Sequence, residues 1–319
     1  MPRNVLPKKW HFGSKNDSEG PHDMDSLVRS EAYGAGESAA RSRLRNAMSV
    51  DVEDYFQVSA FAGTVSRTNW DDWPARIERN MSILLELFAE HGVQVTFFTL
   101  GWIAERYPQL VRRMVAGGHE LASHGYDHQR VSEFDAEAFR QDLARAKGIL
   151  EDCAGVRVIG YRAPSFSIDE RTPWAMDCLL ETGHRYSSSL YPIAHDHYGS
   201  PQAPRWPFKP RPGSGFLELP MATLRLAGRN WPAAGGGYFR LLPYTLSHWS
   251  LRRINRCDGR PFIFYLHPWE IDPQQPRPSK ISLKTRFRHY VNLHRMQSRL
   301  QRLLRDFHWD RIDRIFLGG

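Results

Sequence analysis

Two histidines, His124 and His128, lie four residues apart, directly after a short apolar run in this chain of 319 residues. Imidazoles at this spacing can reach one metal ion from a single turn, and neutral imidazole suits zinc and its neighbours. A carboxylate from another segment would complete a set of two histidines and one carboxylate, with positions left open for water and substrate. The spacing therefore indicates a mononuclear metal site of the hydrolytic kind.

The acidic segment at residues 51–54 supplies candidates for the carboxylates. On a strand, Asp51 and Glu53 point to the same face because side chains alternate along the strand. One of them could bind the metal while the other takes a proton from the bound water. Either Glu53 or Asp54 can be the metal ligand, and Asp54 can instead cap a turn or a helix.

An arginine and a further histidine complete the set. Arg162 can hold the basic carboxylate in place and keep it ionised through a charge-assisted pair. Pro164 fixes the following loop, so that a backbone N–H near Ser165 could face a developing oxyanion. His267 suits a general acid that protonates a leaving amine. Alone, Arg162 or His267 could be purely structural, and the prediction depends on all the segments occurring together.

Each polar segment follows an apolar, strand-like run, at residues 47–50, 120–123, 156–161 and 261–266. Helical periodicities alternate with these runs, as at Ile77, Met81, Leu84 and Phe88. This alternation favours a parallel α/β architecture, and polar groups at the carboxyl ends of several strands are typical of a (β/α) barrel. No Gly-x-Gly-x-x-Gly fingerprint is visible, which disfavours a dinucleotide fold. Gly235–Gly237 is predicted to be a plain flexible turn within a long excursion over the barrel mouth.

The chain divides into three parts by composition. Residues 1–46, rich in Ser, Gly, Arg and Asp, are predicted to be a disordered leader, and residues 47–275 the barrel. Residues 276–319 are predicted to be a basic helical extension that packs on the barrel, since Met296, Leu300 and Leu303 form an apolar stripe.

The net charge of +8 is concentrated in the C-terminal part, where residues 277–319 contain eleven Lys and Arg against three Asp. This segment could meet an anionic membrane surface, a solvated helix face being the simpler explanation, and we expect no nucleic acid partner. No apolar run approaches the length of a membrane span, and no apolar stretch of a secretory signal follows Lys8 and Lys9. With three cysteines and no CxxC spacing, the expected compartment is the cytoplasm.

At these residues the chain resembles the polysaccharide deacetylase superfamily, whose members remove N-acetyl groups from amino sugars with a divalent metal on a distorted (β/α) barrel. The resemblance covers residues 48–270. It implies Asp51 as the base, Arg162 as its partner and His267 as the acid, with the metal, zinc first, held by His124, His128 and either Glu53 or Asp54. It also implies substrate contacts from the loops at the barrel mouth, at Pro164, Ser165, Phe166, Tyr238 and Trp269.

The chain departs from the family pattern in four places. The segment SVDVED replaces Thr-Phe-Asp-Asp, Gly125 replaces the hydroxyl residue after the first histidine, and Ser165 replaces the usual tyrosine. The Asp/Trp pair that supports the catalytic histidine is not evident, which leaves open what orients His267.

The segments SVDVEDYFQVSAF, SHGYDH, GGGYFRLLP and FYLHPWE are similar to those of cytoplasmic deacetylases associated with exosortase-linked exopolysaccharide loci. The resemblance implies a glycan or glycolipid precursor bearing N-acetylhexosamine as substrate. Two alternatives remain: hydrolysis of a small linear or cyclic amide on the same scaffold, and glycan binding without efficient chemistry.

Overall fold

The computed structural model describes residues 44–318. The predicted leader lies outside the described residues except at its end, where Arg45 and Asn46 already belong to the first strand. Among residues 44–318, no helix combines the length and the apolar character needed to cross a membrane.

Ten strands form one large parallel sheet and one hairpin. They are β1 (Arg45–Val52), β2 (Thr96–Thr99), β3 (Glu120–Ser123), β4 (Gly160–Tyr161), β5 (Tyr186–Ser187), β6 (Leu217–Glu218), β7 (Thr223–Leu226), β8 (Arg229–Pro232), β9 (Ile263–Leu266) and β10 (His308–Asp310). β7 and β8 pair with each other in antiparallel fashion, and the other eight strands form the parallel sheet.

Within residues 44–318, ten α-helices connect or cover the strands. They are α1 (Ile77–Glu90), α2 (Gly101–Arg106), α3 (Pro108–Ala116), α4 (Ala136–Ala154), α5 (Ala175–Glu181), α6 (Gly236–Leu241), α7 (Tyr244–Arg253), α8 (Leu283–Tyr290), α9 (Leu293–Asp306) and α10 (Ile312–Phe316). α4 shows how the sequence sets their limits. The Asp135 side chain accepts the Ala138 N–H at its start, and Gly155 ends it at a positive φ of 68°.

The parallel sheet curls into a half-barrel, which confirms the predicted fold class of a distorted (β/α) barrel. The strands run in the order β10, β1, β2, β3, β4, β5, β6, and β9 also pairs with β1. β1 is thus the most connected strand, and its residues from Asn46 to Val52 are all buried. Buried apolar side chains from β1, β2, β9, α1 and α9 share one core cluster.

The C-terminal segment does more than pack on the barrel. Its helix α9 buries Leu293, Met296, Leu300, Leu303 and Leu304, as the apolar stripe predicted. After α9, however, β10 joins the parallel sheet, with Asn46 opposite Trp309 and Ala47 opposite Asp310. Residues 276–319 therefore supply a strand of the sheet itself.

The strand register brings the predicted site segments to one edge of the sheet. Asp51 is opposite Phe98, Ser123 is opposite Tyr161, and Val50 is opposite Leu266. Because all these strands are parallel, the residues that follow them emerge at the same carboxyl edge. His124, Arg162 and His267 each follow directly after such a strand.

Candidate active site

Glu53, His124 and His128 form a cluster of possible metal ligands at the carboxyl edge of the sheet. One ligand atom from each lies within 4.8 Å of the others, and all three residues are buried. Residues 124–128 are not helical. A positive φ at Gly125 (76°) and at His128 (59°) turns the chain so that both imidazoles face the carboxylate. The predicted pair is brought together, although by a tight turn after β3 and not by a helical turn.

His124 is held in the form that a metal requires. Its Nδ1 lies 2.8 Å from the carbonyl oxygen of Arg162, which only accepts hydrogen bonds, so Nδ1 carries the proton. The lone pair is then on Nε2. Burial is the main cause that lowers the pKa of His124 to about 4, so the imidazole is neutral at neutral pH.

Glu53 supplies the negative charge of the cluster. Burial alone would raise the pKa of its carboxyl group, but His128, His267 and His124 outweigh burial and lower the pKa to about 2. Its Oε1 accepts the indole N–H of Trp269 at 3.2 Å. Its Oε2 lies 2.7 Å from His128 Nε2 without hydrogen-bond geometry, and within residues 44–318 this buried oxygen has no hydrogen-bond partner.

These features fit a divalent cation. A buried carboxylate oxygen without a hydrogen bond is costly unless another positive group satisfies it. Two imidazoles and one carboxylate are a donor set that zinc and similar divalent ions accept, with positions left open for other ligands. We therefore identify Glu53, His124 and His128 as the residues that would hold the metal.

Asp51 lies beside this cluster and is fixed by Arg162. Arg162 Nη1 donates to Asp51 Oδ1 at 2.6 Å and to Ser49 Oγ at 2.9 Å, and its Nε donates to the Ser188 carbonyl at 3.1 Å. The guanidinium is fully buried and lies 4.0 Å over the Phe98 ring. A buried ion pair of this kind holds the second Asp51 oxygen in a defined direction. That oxygen, Oδ2, faces His267 Nε2 at 3.9 Å.

Glu270 orients His267, and the sequence reasoning missed it. Glu270 Oε1 lies 2.7 Å from His267 Nδ1, and Arg240 Nε donates to Glu270 Oε2 at 3.1 Å. Both Glu270 and Arg240 are 1% exposed. Burial lowers the pKa of His267, but the hydrogen bond that His267 donates to Glu270 and the charges of Glu53, Glu270 and Asp51 raise it to about 9. His267 is thus protonated at neutral pH, as a general acid requires.

Glu270 and Tyr265 closely approach the glycines at the start of α6. A Cβ at Gly236 would lie 1.7 Å from Glu270 Oε2, and one at Gly235 would lie 2.7 Å from the Tyr265 ring. Gly235 also has a φ of 104°. The glycine run is therefore a close contact that seats Arg240 against Glu270, and the prediction of a plain flexible turn was wrong.

Trp269 packs against His267 and donates a hydrogen bond to the ligand Glu53. Its ring stacks on His267, with centroids 5.1 Å apart, and on His289, with centroids 4.1 Å apart. Trp269 is only 6% exposed, so little of its ring is open to a substrate in the cleft. Its observed contact is the hydrogen bond to Glu53.

Asp54 lies away from the metal cluster. Its carboxylate accepts backbone N–H groups of Tyr55, Arg76 and Ile77, at distances of 2.6 to 3.0 Å. Arg76 directly precedes α1 and Ile77 is its first residue, so Asp54 satisfies N–H groups that the start of the helix leaves unpaired. Of the two carboxylates considered as ligands, Glu53 faces the imidazoles and Asp54 caps a helix.

The cluster lies in a cleft of about 490 Å³, which suits a small molecule or part of a chain. Asp51, Glu53, His124, His128 and His267 line it, together with the predicted substrate contacts Ser165, Phe166, Tyr238 and Trp269. Pro164 is buried beneath the loop and does not line the cleft.

Three cleft residues have strained backbones. His128, Ser165 and Phe166 have φ values of 59°, 53° and 48°, a left-handed region that residues other than glycine seldom adopt. Each such residue costs on the order of 1 kcal/mol or more, and strain of this kind concentrates at functional sites. Ser165 Oγ also donates to Ser59 Oγ at 2.7 Å across the cleft.

Replacing Glu270 by glutamine is expected to lower kcat about 10- to 100-fold, less than loss of the acid itself would. Glutamine keeps an acceptor for His267 Nδ1 but removes the charge that raises the imidazole pKa. The alkaline limb of the pH–rate profile should therefore move to lower pH. Glu90→Gln, at an exposed position, is the matched control. An unchanged pH–rate profile would show that Glu270 does not set the pKa of His267.

Two family models match separate parts of the chain. Residues 63–184 match the family model described as polysaccharide deacetylase, and residues 188–317 match a domain of unknown function (DUF3473). His124, His128 and Arg162 fall in the first match, and Arg240, His267 and Glu270 in the second. Asp51 and Glu53 precede both. The site thus combines residues from both matched segments and from the strand before them.

Several curated proteins are similar to this chain. It is 30% identical over 190 residues to the peptidoglycan deacetylase-like protein FGM2 of Gibberella zeae, covering 56% of this chain and 54% of that protein. It is 30% identical over 182 residues to the peptidoglycan-N-acetylglucosamine deacetylase of Bacillus cereus, covering 56% of each. The chain spans about half the length of these relatives.

A shorter match and one solved structure add to these. The chain is 42% identical over 82 residues to the chitooligosaccharide deacetylase of Sinorhizobium fredii, covering 25% of this chain and 38% of that protein. The crystal structure described as a putative polysaccharide deacetylase from Mycobacterium smegmatis has a TM-score of 0.55 at 20% identity, covering 86% of this chain and 90% of that one. This structural likeness supports the fold.

Proposed function

We propose that this chain, whose residues 63–184 match the polysaccharide deacetylase family model, is a metal-dependent hydrolase that removes N-acetyl groups from an amino-sugar glycan. The observation that carries this proposal is the cluster of Glu53, His124 and His128 beside an ion-paired Asp51 and a protonated His267. A base and an acid next to a metal site are what amide hydrolysis requires.

The two proton transfers follow from the positions of Asp51 and His267. A divalent ion at the cluster would supply positive charge that polarises the acetamide carbonyl and acidifies a water molecule. Asp51 Oδ2, which Arg162 leaves free, accepts the proton of the attacking water. His267 Nε2 then donates its proton to the nitrogen as the C–N bond breaks, releasing acetate and the free amine.

His267 and Asp51 act within reach of one reacting centre. The 3.9 Å between Asp51 Oδ2 and His267 Nε2 is short enough for both groups to contact atoms of the same amide. Glu270 lies against His267 Nδ1, and Arg240 fixes Glu270 in place by a charge-assisted hydrogen bond.

Names of relatives and the lining of the cleft support an N-acetylhexosamine unit as substrate. Two of the similar proteins are named as deacetylases of N-acetylglucosamine-containing peptidoglycan and of chitooligosaccharide. Tyr238 and Phe166 offer aromatic surface at the cleft, a common feature of sugar sites.

We propose zinc as the metal, an exopolysaccharide or its glycolipid precursor as the natural substrate, and an exosortase-linked locus as the context. The donor set of two imidazoles and one carboxylate supports zinc. Three free cysteines, Cys153, Cys178 and Cys257, support a cytoplasmic location.

The test is a substrate panel with purified, zinc-loaded protein. We expect acetate release from N-acetylglucosamine oligomers and from extracted exopolysaccharide, and no ammonia release from urea-like small amides. Turnover of small amides without acetate release from sugars would replace the proposal with the small-amide alternative. Saccharide binding without any turnover would indicate the binding alternative.

A further inference from the structure

We propose that helix α8 (Leu283–Tyr290), at the rim of the cleft, docks onto an anionic lipid bilayer. The proposal concerns a surface of the chain that the proposed chemistry does not use. Vesicle binding needs no turnover, so the inference stands or falls separately from the deacetylase proposal.

The apolar side chains of α8 face solvent. Leu283 is 84% exposed and Phe287 is 58% exposed, the two highest values among the large hydrophobic residues within 44–318. They are one turn apart and share a face of the helix. The opposite face carries His289, the one buried residue of α8. A helix held by the body through its polar face, with Leu and Phe outward, is the reverse of a normal surface helix.

Basic residues flank this apolar pair on both sides. At about 100° per residue, Arg286 falls on one side of Leu283 and Phe287, and Lys284 and Arg288 fall on the other. Lys280 lies just before the helix. Lys284 and Arg288 share Asp196, whereas Lys280 and Arg286 form no ion pair with any residue in the described range. Residues 273–305 contain no Asp or Glu.

The combination of exposed apolar and basic side chains on α8 favours a lipid bilayer as the partner that binds there. Leu and Phe bordered by Lys and Arg on a short helix match an interfacial segment that inserts shallowly among anionic headgroups. A soluble acidic glycan would be met by the cations alone and would leave Leu283 without a partner. A second copy of the chain would bring two basic patches together, which charge repulsion opposes.

Helix α8 lies at the rim of the cleft, so docking would place the cleft next to the bilayer. Lys284, Phe287 and Arg288 line the same cleft as Asp51 and His267, and so does Leu241, which is 46% exposed. A bilayer held against α8 therefore faces the cleft mouth. A glycan attached to a lipid would reach the cleft without leaving the surface.

The experiment is cosedimentation of the full chain with vesicles of phosphatidylcholine, with and without phosphatidylglycerol. The variants are Leu283→Glu and the double variant Lys280→Glu/Arg286→Glu. Lys280, Leu283 and Arg286 do not line the cleft, so acetate release from a soluble oligomer serves as the folding control. The double variant Arg157→Glu/Arg185→Glu is the matched charge control, because these exposed residues precede β4 and β5 at the opposite edge of the sheet.

We expect the wild-type chain to bind only the vesicles that contain phosphatidylglycerol, and binding to weaken as salt rises. Each basic residue near such a surface changes the partition coefficient about fivefold, so Lys280→Glu/Arg286→Glu should lower it about 25-fold or more. Leu283→Glu should also weaken binding, and the control should bind as wild type. Absence of binding, or equal binding by all variants, would overturn the proposal. A dimer that Leu283→Glu converts to a monomer would assign α8 to a second copy instead.

Discussion

Replacing Asp51 by asparagine is expected to lower kcat about 10²- to 10⁴-fold while a divalent ion remains bound. Asparagine has the shape of aspartate but accepts no proton from water. Asp51 is not one of the three clustered ligands, so the ion should stay. The change also leaves the buried Arg162 without its carboxylate, and loss of one partner of a buried ion pair costs about 3–5 kcal/mol of stability.

The measurement is kcat together with bound metal, on protein whose folding is checked by thermal unfolding. Asp54→Asn is the matched control from the same segment. Asparagine keeps one acceptor oxygen for the N–H groups at the start of α1 but loses the one that accepts the Tyr55 N–H, so that variant should lose some stability while its turnover and metal content stay near normal. Near-normal rates in Asp51→Asn would show that another group takes the proton. A dead Asp54→Asn that has lost its metal would return Asp54 to the ligand set.

Replacing His124 by alanine is expected to abolish metal binding and turnover together. His124 presents a lone pair from Nε2 because the Arg162 carbonyl holds Nδ1 in its protonated form. Loss of a partner outside the ligand set typically weakens metal affinity 10- to 100-fold, and loss of a ligand should exceed about 100-fold. The loss of activity should therefore follow the loss of metal.

Metal content by elemental analysis, with acetate release on the same sample, tests this prediction. His91→Ala, on the far end of α1, is the control and should bind metal normally. Addition of excess zinc should restore little activity to His124→Ala. A variant that retains wild-type affinity for zinc would exclude His124 from the metal site.

Much of the site could be predicted from the sequence because its residues follow apolar strands. Parallel strands end at one edge, so Asp51, His124, Arg162 and His267 had to converge once the strands were recognised. The choice between Glu53 and Asp54 could not be made, because two adjacent carboxylates differ only in direction. The structure decides it through the start of α1, whose N–H groups Asp54 accepts.

The support of His267 could not be predicted by the same means. Glu270 stands three residues after His267, a spacing that brings them together only because Pro268–Ile271 forms a 3-10 turn. Arg240 is distant in sequence, and its contact with Glu270 depends on the space left at Gly236. Two features of the sequence could have pointed to this support. They are Glu270 in the segment HPWE, and the glycines that precede Tyr238, Phe239 and Arg240. Strand β10, with only three residues, was too short to show a period.

The central claim is that a metal ion held by Glu53, His124 and His128 is required for deacetylation. The direct test strips the purified chain with a chelator and then titrates zinc, following bound metal and acetate release from N-acetylglucosamine oligomers together. We predict no release from the stripped protein, and release that rises with bound zinc and saturates at one ion per chain. Undiminished acetate release from metal-free protein would contradict the account, as would one bound zinc per chain with no release from any acetylated sugar.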